Sequence, residues 1–307
     1  MSQVRILLLG HTGQLGWELH RCLLPWGMVH AVDFPDIDLA RPETLRPLIR
    51  GVQPDLIVNA AAYTAVDRAE NEPDLARAVN AIAPGVMAEE AARAKAALVH
   101  YSTDYVFDGQ ATQPYKEAEA PAPINIYGRT KLEGEQAIRA VGGSHLILRT
   151  SWVYSFRRRS FPVQVLEWAR TQRVIRVVSD QVGSPTWCRM LAQVTTLALA
   201  PGLRDLRSWI GERAGVYHLA GSGQASRLEW ADAVLKLDPH PDEQLAAQLS
   251  EVASSDFPGP ARRPPFSALE CSLFQEVFGI GLPDWRSTLR LAMDSELIAS
   301  RSRETGV

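Results

Sequence analysis

Apolar positions along the chain recur with two different periods. Continuous runs at Val4-Arg5-Ile6-Leu7-Leu8-Leu9, Met28-Val29-His30-Ala31-Val32, Asp55-Leu56-Ile57-Val58-Asn59, Ala97-Leu98-Val99-His100-Tyr101-Ser102 and His145-Leu146-Ile147-Leu148-Arg149 read as strands. The first has the pattern of a strand buried on both faces of a parallel sheet. Between them the spacing turns helical, at Leu15, Leu19 and Leu23, at Leu45, Leu48 and Ile49, through the alanine-rich stretch from Glu72 to Ala97, and from Tyr127 onward. Strands alternating with helices predict an α/β fold built on a doubly wound, Rossmann-like parallel sheet. Past Trp152 the signals lose regularity. Phe161 to Thr171 and Trp187 to Leu199 read as helices, with Gly183-Ser184-Pro185-Thr186 as a capping turn, and Val174 to Val178 and Val216 to Ala220 as strands. Pro258 to Pro265 reads as an irregular arm and Leu289 to Ile298 as a closing helix.

A chain of 307 residues is long for one compact unit, so two lobes are expected, 1–150 and 151–307, with some segments of the second returning to the first. The formal charge of −3 gives no reason to expect a nucleic-acid partner. Arg157-Arg158-Arg159, the densest basic run, reads first as a solvated loop, with contact to an anionic substrate as the alternative. Cys22, Cys188 and Cys271 are odd in number and far apart, which predicts reduced thiols in a cytoplasmic protein. No apolar run is long enough to span a bilayer, and the seven histidines are scattered without ligand spacing, so a metal is not expected.

The chemistry concentrates at strand ends. Gly10-His11-Thr12-Gly13-Gln14-Leu15-Gly16 follows the first strand and opens a helix, where glycines let backbone N–H groups approach a pyrophosphate. Its G-x-x-G-x-x-G spacing is one residue wider at the first interval than the dinucleotide fingerprint. Asp33, closing the second strand, suits an adenosine ribose and would repel a 2′-phosphate, which favours NADH over NADPH. Asp38 stands where it could edge the adenine pocket, and Ala60-Ala61-Ala62-Tyr63-Thr64 supplies small residues at the third strand's carboxyl end. The fourth strand delivers Ser102, Thr103 and Asp104 to the same edge. Tyr127 and Lys131, four apart on a helix, share a face, so the ammonium is expected to pull the phenol's pKa down toward neutrality. Residue chemistry alone leaves Ser102 and Thr103 equivalent.

On these residues the chain resembles the extended short-chain dehydrogenase/reductases and, more narrowly, the dTDP-4-dehydrorhamnose reductase family. The resemblance runs over nearly the whole chain, through Gly13 to Leu19, Asn59 to Asp67, His100 to Phe107, the Tyr127 and Lys131 pair, Arg149 to Tyr154, Asp180 to Thr186 and Arg263-Pro264. It implies Thr103, Tyr127 and Lys131 as catalytic residues. It places the dinucleotide, NADH or NADPH, against Gly10, Thr12, Gly13, Gln14, Leu15, Asp33, Asp38, Leu39, Ala62, Tyr63, Thr64 and Tyr101, besides Tyr127 and Lys131. The sugar nucleotide would meet Thr103, Asp104 and Trp152. Residues 1–150 then form the dinucleotide-binding domain and 151–307 mainly the substrate lobe, with a dTDP-sugar as the small-molecule partner. The implied reaction is hydride transfer to the C4 ketone of dTDP-4-dehydro-β-L-rhamnose, or of another dTDP-4-keto-6-deoxy sugar. A sugar-nucleotide dehydratase commonly carries Asp-Glu after the threonine, where this chain has Asp104-Tyr105. A non-catalytic NAD(P)-binding regulatory subunit, resembling the β subunit of methionine adenosyltransferase, is the reading from another class. Some family members dimerise through magnesium held by glutamates. One of these matches Glu18, but another falls at Arg189, so metal is not expected, and the chain is expected as a monomer or a homodimer.

Overall fold

A computed structural model describes residues 3–246 and 248–304, with side chains through Asp294. Six strands form one wholly parallel sheet: β1 (Val4–Leu9), β2 (Gly27–Val32), β3 (Leu56–Asn59), β4 (Ala97–Thr103), β5 (His145–Thr150) and β6 (Gly215–His218). Their spatial order is β6-β5-β4-β3-β1-β2, so the chain leaves β1 for one side of the sheet and then returns to the other. That reversal opens a crevice at the carboxyl ends of β1 and β3, where open sheets of this type bind ligands.

Alternation along each strand feeds two cores. Ile6, Leu8, Leu56, Val58, Val99 and Leu148 face α1 (Gln14–Leu23) and α6 (Cys188–Leu199) through Leu19, Leu23 and Leu191. Leu7, Leu9, Ile57, Leu98 and Ile147 face α2 (Leu45–Val52), α3 (Ala83–Ala94) and α4 (Ile126–Val141) through Leu45, Ile49, Met87 and Ile138. Burying each such aliphatic side chain contributes about 1.5–3 kcal/mol, which explains why the strands read as unbroken apolar runs.

The helix that carries Tyr127 is capped at both ends. Asn125 accepts from Gly128 N at 2.7 Å, and Gly142 ends the helix with a φ of 72°, conditions that set α4 firmly in register. Outside the sheet lie α5 (Phe161–Thr171), α7 (Arg227–Lys236) and α8 (Trp285–Glu304). The alanine-rich stretch is helical from Pro73 to Ala94, with a π-helical turn at Ala78–Ile82 where Asn80 bonds Tyr63 and Thr130. One expectation is corrected. Residues 183–186 do not cap a helix: Val182–Gly183 pairs with Ala225–Ser226, and Thr186–Trp187 with Val153–Tyr154. Their backbone groups are satisfied by segments remote in sequence, which no local signal records. No helix among the described residues is long and apolar enough to cross a membrane.

Candidate active site

The glycine-rich turn after β1 is shaped by close approach. Gly10 has a φ of 83°, and a Cβ there would stand 2.7 Å from Ala61 N. A Cβ on Gly16 would fall 2.0 Å from Gly10 O, so the helix sits directly on the turn. Gly13 leaves the N-terminus of α1 without a side-chain cap. Its first N–H groups therefore remain available to an anion. Gly10, Thr12, Gly13, Gln14 and Leu15 line a cleft of about 520 Å³, joined by Asp33, Ala62, Thr64, Tyr101, Thr103, Asp104, Tyr127, Lys131 and Trp152. Asp33 accepts from Thr12 N and Thr12 Oγ1 at 3.0 and 2.6 Å, holding the carboxylate beside the turn. Thr150 Oγ1 also lies in the wall, buried and without a hydrogen-bond partner. A polar orphan beside an uncapped helix fits a dinucleotide, whose hydroxyl and phosphate oxygens can take both.

Tyr127 and Lys131 share the cleft but do not pair as the spacing predicted. Lys131 Nζ donates to Tyr101 O at 2.6 Å and lies 3.2 Å from His100 Nε2. The side chain turns back toward β4 because a buried ammonium or amine must find an acceptor, and the Tyr101 carbonyl is within reach. Burial brings Lys131 down to about 8, against the pull of Glu135. The Tyr127 phenol is raised above its ordinary value, not lowered: burial raises it, and the Thr103 hydroxyl opposes the shift. Its ring meets Tyr105 edge to face, with centroids 5.8 Å apart.

Thr103 Oγ1 lies 3.0 Å from Asp104 Oδ1, and Tyr105 N donates to it at 3.1 Å. Asp104 also accepts from Ser151 and Ser267, and burial raises its carboxyl. Three hydroxyls from three segments thus converge on one carboxyl that the sequence presented as a substrate ligand. Trp152 adopts a φ of 43°, in a region non-glycine residues rarely enter. The indole packs against Gly183, where a Cβ would stand 2.4 Å from Trp152 Cε2. It stacks on Trp230 at 5.5 Å, and the Arg227 guanidinium lies 3.6 Å over its ring.

Arg227 also forms part of a second cavity, of about 780 Å³, whose walls include Asp67, Phe161, Trp168, Phe257 and Arg263. Burial lowers Arg227 to about 10, still charged at neutral pH. Arg227 carried no sequence signal and Arg263 entered only through the Arg263-Pro264 resemblance, without a site role, since each joins the wall through tertiary packing. Arg157, Arg158 and Arg159 are exposed in a loop, as expected, and Arg158 also lines the first cleft, while Arg157 lies 3.2 Å over the Trp17 ring and Arg159 pairs with Glu167 at 3.4 Å.

Three residues assigned to the dinucleotide lie outside that cleft. Asp38 accepts from Ala40 N at 2.9 Å in its own turn, and Leu39 is buried in the core beside Leu45 and Ile49. Tyr63 donates its phenol to Glu72. Tyr101 contributes its backbone, while its phenol donates to Thr195 at 2.9 Å. Arg189 and Glu18 form an ion pair at 3.4 Å. Among the described residues, no three His, Cys, Asp or Glu side chains are grouped to hold a metal.

Comparison with known proteins places this geometry. The family model described as RmlD substrate binding domain matches residues 4–298. The dTDP-4-dehydrorhamnose reductase of Burkholderia thailandensis is 41% identical over 94% of this chain and 98% of its own. That of Escherichia coli K12 is 41% identical, over 92% and 95%. Among solved structures, dTDP-4-dehydrorhamnose reductase from Bacillus anthracis in complex with NADP superposes with a TM-score of 0.85 at 29% identity, covering 96% of this chain and all of the other. Thermus thermophilus UDP-glucose 4-epimerase, at 18% identity and a TM-score of 0.75 over 95% and 98%, shares the fold.

Proposed function

The chain belongs to the RmlD substrate binding domain family, and from that premise we propose that it reduces dTDP-4-dehydro-β-L-rhamnose to dTDP-β-L-rhamnose with NADH or NADPH. One observation carries the reading. Trp152 lines the first cleft, and Arg227, which lines the second cavity, lies 3.6 Å over its indole. A sugar nucleotide with its nucleotide in the second cavity would bring its hexose to Trp152 and the Tyr127 phenol. Arg227 and Arg263 supply cations suited to a diphosphate, and Phe161 and Phe257 supply apolar rings suited to a base. The flat face of Trp152 suits the C–H face and methyl group of a deoxyhexose.

The glycine turn, the uncapped N-terminus of α1 and Asp33 would hold the dinucleotide's pyrophosphate and adenosine ribose. When bound, the reduced nicotinamide supplies the hydride. A phenol whose proton is held tightly by burial is protonated at neutral pH, which is the state required to protonate a developing alkoxide. Tyr127 is that donor in this reading, and Thr103 orients the carbonyl oxygen beside it. Donors aimed at an oxygen that becomes charged only in the transition state favour that state over the ground state.

The test supplies purified protein with dTDP-4-dehydro-L-rhamnose and either NADH or NADPH, following cofactor oxidation and product by chromatography. dTDP-L-rhamnose should appear, and Asp33→Ala should narrow the gap between the two cofactors. Absence of product from folded, cofactor-binding protein would overturn the substrate assignment.

A further inference from the structure

The basic run Arg157-Arg158-Arg159 has no part in the proposed chemistry, yet the loop that carries it is tied to two helices. Ser155 Oγ donates to Gln14 Oε1, on the first residue of α1, at 2.9 Å, and Ser160 Oγ closes the loop by donating to Ser155 O at 2.7 Å. Arg157 sets its guanidinium 3.2 Å over the indole of Trp17, one turn into α1, and Arg159 reaches Glu167 of α5 at 3.4 Å. Arg158 stands between these two anchored neighbours. Among the described residues it has no hydrogen-bond or ion-pair partner, and it lines the first cleft together with Gly10, Gly13 and Gln14. Arg21 adds a further cation: its guanidinium lies 3.6 Å over the same Trp17 ring and donates to Trp17 O at 2.9 Å. Arg21, Arg157 and Arg158 thus gather around the first turns of α1 with no carboxylate partner among the described residues. Like charges so placed repel one another, and the free N–H groups of the helix add partial positive charge. Asp33, on the glycine turn, does not neutralise them, because its oxygens accept from Thr12 and Phe34 N.

We infer that Arg158 is a further cofactor-binding residue, a cation that the stack of Arg157 on Trp17 holds at the start of α1 to pair with the pyrophosphate of the dinucleotide. The inference rests on the reading of the first cleft as the dinucleotide's site. Position selects the pyrophosphate over other anions. The loop is fastened to Gln14 and Trp17, in the first turn of the helix whose uncapped N–H groups suit a pyrophosphate. The adenosine ribose belongs instead to Asp33, whose carboxylate repels a 2′-phosphate. A guanidinium presents its donors as a planar fork that matches two phosphate oxygens at once. Trp17 is then a positioning residue: its indole touches no ligand, but fixes the residue next to the one that does.

The experiment titrates NADH and, separately, NADPH into the full chain without sugar nucleotide, following nicotinamide fluorescence at two salt concentrations. Arg158→Ala should raise both dissociation constants by roughly tenfold, equally because both cofactors carry the pyrophosphate, and should flatten their dependence on salt. Its unfolding in urea should match wild type, since the side chain has no internal partner to lose. Arg158→Lys, which keeps the charge without the fork, should retain part of the affinity. Trp17→Leu should cost a smaller factor, and combining it with Arg158→Ala should add nothing, because the stack acts only through Arg158. An Arg158→Ala protein that loses affinity for NADPH alone would move the arginine to the 2′-phosphate, and one that loses affinity for neither would make it a solvated side chain; both results overturn the inference. So does wild-type protein that binds no dinucleotide, which would remove the reading of the cleft as well. The titration needs no substrate, so failure of the substrate assignment alone would show separately, as absent turnover with the loss of affinity in Arg158→Ala intact.

Discussion

A phenol shielded from water holds its proton, and a shielded ammonium gives one up more readily. Tyr127 and Lys131 are shifted in these opposite senses by the same cause. Their helical spacing was legible, but the direction of each side chain was not, because it depends on which acceptor the Tyr101 carbonyl and His100 place within reach. Tyr127→Phe should retain dinucleotide binding and lower kcat by about 10²–10⁴-fold, the usual contribution of a positioned acid; steady-state kinetics beside a cofactor titration would show it, and near-normal turnover would remove Tyr127 from the mechanism. In the sequence Gly183 belongs to a turn and to the Asp180 to Thr186 motif, neither of which gives it a site role. Because a Cβ there would collide with the Trp152 indole, Gly183→Ala should displace the ring, raising KM for the sugar nucleotide with little change in cofactor affinity. An unaltered KM would show that the indole's position does not matter to the substrate.

Helix α4 presents Tyr127, Lys131 and Glu135 at successive intervals of four, so one face carries them all. The last anchors the first two. Glu135 accepts from Arg149 Nε and Nη2 at 2.9 and 2.7 Å and from Ser102, binding the helix to β4 and β5. Both charges are nearly fully buried, so removing one strands the other without a partner. Arg149→Met should cost roughly 3–5 kcal/mol in urea unfolding, and adding Glu135→Met should recover much of it. Equal destabilisation by the single and double variants would mean that the pair is not coupled. The strand carrying Arg149 was plain from its apolar run; its partner Glu135 lies on the preceding helix, α4, and required the fold to identify.

At the scale of the molecule, the arm from Pro258 to Pro265 lines the second cavity through Pro258, Gly259 and Arg263 and is fastened to the first half of the chain. Arg263 pairs with Asp67 at 2.6 Å, and Arg262 O accepts from Asn125 at 2.8 Å, the residue that caps α4. Arg263→Ala should therefore raise KM for the sugar nucleotide more than it weakens NADPH binding, a comparison that kinetics and calorimetry can make; equal effects on both ligands would show that the arm serves the whole cleft. The sequence by itself determined the alternating elements, the glycine turn and the placing of Asp33, Ser102, Thr103 and Asp104 at the sheet's carboxyl edge. Those follow from hydrophobic period and backbone sterics, which act over a few residues. Only the tertiary structure decided that Gly215–His218 completes the sheet, that Asp104 gathers three hydroxyls, that Asp38, Leu39 and Tyr63 lie outside the cleft, and that Lys131 turns to His100. These depend on burial and on partners brought together from distant segments, and a buried polar group takes whichever partner the packed fold leaves beside it.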